Sequence, residues 1–257
     1  MGMKRWVRYE FQGAQGFGVL SDNQITVYQG NMYNGAEATE KTLSLDAVSL
    51  LTPCEPTTMI ALWNNFHSRA AKEGWSRPDH PLYFMKASTS FLSPGGAIKR
   101  PASYDGPVVY EGELGIVIGK ECNNVSEEEA EDYVFGYTCV NDVTARGLLR
   151  EDPLFVHWTR AKSFDTFSAV GPVICTGLDA TKLTVRTLVD GDELQNYPVT
   201  DMFFLPHQIV SRLSHDMTLC PGDIIACGTS IGAGPMQQGS TVEVQIDGIG
   251  SLVNEFK

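Results

Sequence analysis

Two carboxylates stand at the entrance to a run of apolar residues, Tyr110-Glu111-Gly112-Glu113-Leu114-Gly115-Ile116-Val117-Ile118. The run has strand length, is rich in branched aliphatics and stops at Gly119, so it reads as a buried β-strand. Strand side chains two apart project to the same side, so Glu111 and Glu113 point together. Like charges forced side by side out of water repel unless a cation neutralises them. Gly112 leaves the opposite side bare, which suits close packing by another segment. A bare E-x-E pair is most often a solvated strand face, and the apolar continuation is what sets this one apart.

A third acid follows at the end of the strand-like Tyr137-Thr138-Cys139-Val140, in Asn141-Asp142-Val143-Thr144-Ala145-Arg146. Glu111, Glu113 and Asp142 together form an all-oxygen donor set, which suits Mg²⁺, Mn²⁺ or Ca²⁺ rather than zinc. Three carboxylates leave coordination positions open for water and substrate. Alone, Asp142 also fits a helix N-cap, and Arg146 fits a plain surface charge. Lys162, among Trp158, Ala161, Phe164 and Phe167, reads as a partly buried cation able to hold an oxyanion or act as a base, or else as a snorkelling surface lysine. His67, with Glu73 downstream, is a candidate general base if the two pair. Gly228-Thr229-Ser230 forms a turn whose N–H and hydroxyl groups suit a carboxylate.

The remaining pattern is mainly β. Trp6–Phe11, Gly16–Leu20 and Gln24–Tyr28 read as short strands of a small N-terminal β unit over residues 1–50. Pro53 and Pro56 mark the boundary to a second unit, 51–257. Thr57 to about Gly74 reads as a helix with Leu62, Phe66 and Ala70 on one face. Ser126–Glu129 carries a capping box that opens a short acidic helix. Asp190-Gly191 and Asp247-Gly248 each join two strands as hairpins, and Pro221-Gly222-Asp223 turns into the apolar strand Ile224–Cys227. Together these describe an α+β chain, mainly β, with flanking helices.

Composition narrows the function classes. The chain has 257 residues and a formal net charge of −12, which argues against nucleic acid and against anionic membrane surfaces as partners. A local cation still permits an anionic substrate. The six cysteines include no C-x-x-C pair and read as buried free thiols. The opening Met1–Trp6 has no apolar stretch behind its charges, so a cytoplasmic setting is expected.

In this order the segments resemble the fumarylacetoacetate hydrolase superfamily. The resemblance runs from about Pro53 to Val253. It is carried by Pro81–Lys86, Tyr110–Leu114, Val117–Lys120, Tyr133–Thr138, Asn141–Arg146, Trp158–Phe167, Met217–Ile225 and Gly228-Thr229. It implies a mixed, rolled β-sheet domain behind a small N-terminal β domain, and a homodimer. It also implies a keto-acid substrate and Mg²⁺ or Mn²⁺ on Glu111, Glu113 and Asp142. Lys162 would sit beside the substrate, Arg146, Thr229 and Lys86 would bind it, and His67 with Glu73 would supply catalysis. The implied activity is hydrolysis of a C–C bond in an acylpyruvate-like or β-diketo acid. Decarboxylation, isomerisation or hydration of keto acids is the alternative, and a catalytically silent metal- and acid-binding homologue is a further one. Family members often carry an acid three residues after the histidine and Asp after the arginine. Here Ala70 and Gly147 stand in those places.

Overall fold

The computed structural model describes residues 2–257. An N-terminal meander comes first: β1 (Lys4–Phe11), β2 (Ala14–Ser21), β3 (Gln24–Asn31) and β4 (Asn34–Ser44). Next are β5 (Met59–Trp63), α1 (His67–Glu73), β6 (Leu82–Lys86), β7 (Val108–Tyr110), β8 (Gly112–Ile118) and β9 (Val134–Asp142). The chain continues through α2 (Trp158–Lys162), β10 (Ser168–Thr176), β11 (Thr184–Val189), β12 (Asp192–Pro198) and α3 (Pro206–Asp216). It closes with β13 (Ile224–Ala226), β14 (Thr241–Ile246) and β15 (Gly250–Phe256).

One large mixed sheet runs β4-β3-β2-β1-β10-β9-β8-β13-β5-β6. The N-terminal meander is therefore continuous with the strands that carry the acids, through the pairing of Arg5 with Cys175 and of Trp6 with Ile174. A smaller sheet, β12-β11-β14-β15, packs across it and is extended by Ala97–Ile98. Alternation along β8 assigns the layers. Leu114, Ile116 and Ile118 join a core with Val185, Val244 and Ile246 of the smaller sheet and Ile209 and Leu213 of α3. Val117 faces the other way, toward Met59, Ala61, Val140 and Ile224.

The helix expected over 57–74 is confined to its second half. Met59–Trp63 is a strand, paired in parallel with Ile224–Ala226 and almost wholly buried. A strand covered on both faces loses its polar alternation, so its apolar run imitates one side of a helix. The capping box forms, with Ser126 Oγ donating to Glu129 Oε2 at 3.1 Å and Glu129 N donating to Ser126 Oγ at 3.3 Å. The helix it opens is only a 3₁₀ turn, Ala130–Tyr133. Both expected hairpins form. Asp190 (φ 51°) and Gly191 (φ 89°) adopt the left-handed pair of a two-residue turn. The second hairpin closes through three residues with Gly248 at φ 87°.

Candidate active site

The reading of Tyr110–Ile118 as one strand is corrected at Glu111. Residues 108–110 pair with Thr144–Ala145 in a separate three-stranded sheet, whereas β8 starts at Gly112. Glu111 lies at the step between the two sheets, its N–H held by Asn141 Oδ1 at 3.0 Å. Glu113 shares its strand face with Gly115 and Val117 and stands opposite Val140 of β9. Asp142 ends β9, its N–H donating to the Glu111 carbonyl at 2.9 Å. The three carboxylates converge, each offering an oxygen within 4.8 Å of the other two. The face choice depends on Gly112. A Cβ there would lie 2.0 Å from Thr187 Oγ1 of β11, so only glycine lets the smaller sheet press against this turn.

Two ammonium groups meet these acids inside the protein. Lys162, the last residue of α2, donates to Glu111 Oε2 and Asp142 Oδ2. Lys86, at the end of β6, donates to Asp142 Oδ1 and to the Phe167 carbonyl at 2.9 Å. Burial alone would depress the Lys162 ammonium, but the charges of Asp142, Glu111 and Glu113 outweigh it and hold it above the ordinary lysine range. Burial likewise works to raise Asp142, and the facing Lys162 and Lys86 reverse this and keep it ionised below the usual carboxylate range. Glu113 goes the other way. Burial, then the charge of Asp142, pushes its carboxyl well above the usual range, opposed only in part by Lys162 and the Gly228 N–H at 2.8 Å. With all three acids ionised, they outnumber the two lysines by one negative charge, and the resistance of Glu113 to ionisation reflects that missing counter-charge. Hard oxygen donors around that excess fit a divalent cation such as Mg²⁺ or Mn²⁺.

The site opens into a cavity of about 900 Å³. The cavity is lined by Glu111, Glu113, Thr144, Lys162 and Thr229, by Arg146 and Arg150, and by the contiguous aromatic residues Trp63, Trp75, Phe84 and Trp158. Phe84 stacks on Trp158 at 5.1 Å, and Trp63 touches Trp75 and Trp158 at 4.7 and 5.6 Å. Thr229 reaches the cavity, but its hydroxyl proton goes to the Gly112 carbonyl at 2.9 Å and its oxygen accepts from Gln195. The direct substrate contact expected of Lys86 is not what the structure shows. Its side chain has no exposed surface and lies behind Asp142, held there by Asp142 itself and by the Phe167 carbonyl.

The expected His67–Glu73 pair does not form. They stand six positions apart in α1, roughly 600° of helical rotation, so they leave from different sides. His67 is exposed and packs on the Phe203 ring at 4.3 Å. Glu73 does line the cavity, and its partner is Arg69, one turn earlier. Among the described residues no histidine lines the cavity. Arg69, Arg150, Trp63 and Trp75 carry no role in the sequence reading because they lie outside the acidic segments, although the i,i+4 spacing of Arg69 and Glu73 is a usable signal.

Comparison with known proteins covers nearly the whole chain. Residues 58–257 match the family described as "Fumarylacetoacetate (FAA) hydrolase C-terminal", and residues 4–53 match "Rv2993c-like, N-terminal". Oxaloacetate tautomerase YisK of Bacillus subtilis is 35% identical over 227 residues, covering 84% of this chain and 76% of that protein. The structure of 2-hydroxyhepta-2,4-diene-1,7-dioate isomerase from Mycobacterium marinum superposes with a TM-score of 0.90 at 35% identity over 98% of each chain. Maleylpyruvate hydrolase from Sphingobium sp. SYK-6 superposes with a TM-score of 0.81 at 27% identity, again over 98% of each chain.

Proposed function

Because the chain belongs to the fumarylacetoacetate hydrolase family, we propose that it is a divalent-metal-dependent enzyme that moves a proton on a small keto acid bearing a second carboxylate. The reaction interconverts keto and enol forms or shifts a double bond. The observation that carries this reading is a cavity lined by Glu111, Glu113 and Lys162, with Asp142 buried behind them, by arginines and, among the described residues, by no imidazole. Either reaction needs a group to take a proton, from water in hydrolysis or from carbon in enolisation. Glu73, a cavity carboxylate outside the ligand triad, would take the C–H proton and return it to the other end of the enolate, whose charged oxygen Lys162 holds meanwhile. Two of the relatives named above are a tautomerase of oxaloacetate and an isomerase of a diene-dioate, which supports the same class.

Glu111, Glu113 and Asp142 would hold the cation, which supplies Lewis acidity toward the ketone and makes the neighbouring C–H more acidic. The chain's own residues do the rest. Lys162, kept cationic by its three acidic neighbours, donates to the substrate oxygen as negative charge builds on it. Arg146 and Arg150 orient a carboxylate from the wall. The tryptophan side keeps water off the reacting carbons, so each of these charges acts at full strength.

C–C hydrolysis is the second reading, favoured by the likeness to maleylpyruvate hydrolase. It would pass through a similar enolate with water added first. The test uses the Mg²⁺-loaded protein with oxaloacetate and longer 2-oxo dicarboxylates in D₂O and in H₂¹⁸O. Deuterium entering the carbon next to the ketone, with the skeleton intact, supports proton transfer. ¹⁸O in a released acid moves the assignment to hydrolysis, and neither label moving across the panel rules out both.

A further inference from the structure

Helix α1 turns a cation toward the cavity at the place where a histidine was expected, and that cation is only partly used by the protein. Arg69 and Glu73 stand one turn apart on the side of α1 that lines the cavity, while Ala70 packs into the core. Arg69 Nη1 donates to the Ser230 carbonyl at 3.1 Å. Its Nε is inside the protein and has no hydrogen-bond partner. Glu73 Oε1 lies 3.7 Å from Nε, near enough for attraction and too far for a hydrogen bond. The guanidinium side chain is 19% exposed and the carboxylate 36%. An orphaned guanidinium N–H that lies next to a movable, half-exposed carboxylate has one natural complement, the paired oxygens of a carboxylate that reaches it when Glu73 moves aside.

Its position is fixed by the same loop that holds the acids. Asn65, just before α1, donates to the Cys227 carbonyl at 3.0 Å and accepts from Phe204 N at 3.0 Å. Gly228 N donates to Glu113, and two residues further on Ser230 accepts from Arg69. Two residues of chain span at most about 7 Å. The guanidinium is therefore tethered a short molecule's length from the carboxylate triad, beside Trp63 and Trp75.

We infer that Arg69 is the specificity-determining residue that receives the carboxylate at the far end of the substrate, and that Glu73 holds that place until substrate arrives. This assignment rests on the keto-acid reading for the near end of the substrate. Glu73 is suited to yield. It is half-exposed, sits in the last turn of the helix where the dipole disfavours a negative charge, and precedes the left-handed Gly74 cap. Incoming carboxylate replaces one anion by another, so the cavity keeps its charge balance and gains the hydrogen bond that Glu73 does not make.

The experiment compares two ligands of equal carbon count that differ only at the far end, 2-oxoadipate and 2-oxohexanoate. Binding to the full-length protein is followed with and without Mg²⁺ by tryptophan fluorescence, since three of the four tryptophans line the cavity. The wild type is expected to favour 2-oxoadipate by roughly ten- to a hundredfold, the range of one charge-assisted contact. Arg69→Met should reduce that preference to within about threefold, and Arg69→Lys should keep an intermediate preference because a point charge replaces a fork. Glu73→Gln should widen the preference by removing the competing carboxylate, a readout that does not depend on Arg69→Met folding. Equal wild-type affinities, a preference that survives Arg69→Met, or a Glu73→Gln variant that narrows the gap would each overturn the assignment. Binding needs no turnover, so an inactive protein that still discriminates through Arg69 contradicts only the reaction proposed above.

Discussion

Gly112 shows how one missing side chain can set a site. Its hydrogen atom faces Thr187, and both acids flanking it are free to turn toward the cavity. Gly112→Ala is expected to cost about 1–3 kcal/mol through overpacking, seen as a fall of roughly 2–12 °C in melting temperature. Thr187 Oγ1 is buried without a partner, so adding Thr187→Ala should restore most of the loss. A double variant as unstable as Gly112→Ala alone would show that this contact is not the cause. Glu113 makes a second prediction. Its carboxyl is held well above the usual range by burial and by Asp142, yet it must be ionised to serve as a ligand. Below its raised pKa a proton has to leave as the cation enters, so affinity falls as pH falls. Calorimetry between about pH 8 and pH 5 should show Mg²⁺ weakening by up to tenfold per unit for that one proton. Proton release should be visible in buffers of different ionisation heat. Glu113→Gln should bind Mg²⁺ weakly and lose the dependence, and an unchanged profile in that variant would remove Glu113 from the ligand set.

Elements decide which side chains meet. In α1 the spacing of four sends Arg69 and Glu73 to one side, and the spacing of six sends His67 to another. His67→Ala should therefore leave kcat/KM within about twofold of wild type. A loss of a hundredfold or more, with the fold intact, would return the imidazole to the reaction. The same logic separates what could be read locally from what could not. The hairpins at Asp190-Gly191 and Asp247-Gly248 and the capping box at Ser126 are fixed by neighbours in sequence, and all three form. Met59–Trp63 imitates a helix because both of its faces are covered, Ile60 and Leu62 by one core and Met59 and Ala61 by the other, and its partner Ile224–Ala226 lies more than 160 residues away. The step from one sheet to another at Glu111 leaves no local mark, so the residues around it read as one strand.

At the scale of the molecule, the N-terminal strands and the acid-bearing strands share one sheet. The match of residues 4–53 and 58–257 to two separate families describes a joint in sequence, while β1 pairs directly with β10 across it. Removing residues 1–53 uncovers the edge of β10 and the Trp6 contact in the core beneath it. The shortened chain is expected to aggregate or to melt well below the full protein, measured by size-exclusion chromatography and circular dichroism. A soluble fragment of unchanged melting temperature would show instead that the N-terminal unit is an accessory.

Sequence alone determined the chemistry on offer: three acids at strand ends, a lysine among aromatic residues, a glycine between two glutamates, and the family those segments resemble. These are properties of residue type and short spacing, which survive translation into any fold that keeps the strands. Only the tertiary structure decided which cations meet those acids and which residues close the cavity. It drew Lys86 behind Asp142 and out of reach of substrate, put Lys162 between Glu111 and Asp142, and exchanged His67 for Arg69 at the wall. Those choices follow from pairings between strands far apart in the chain and from the phase of one short helix, neither of which leaves a local mark in the order of residues.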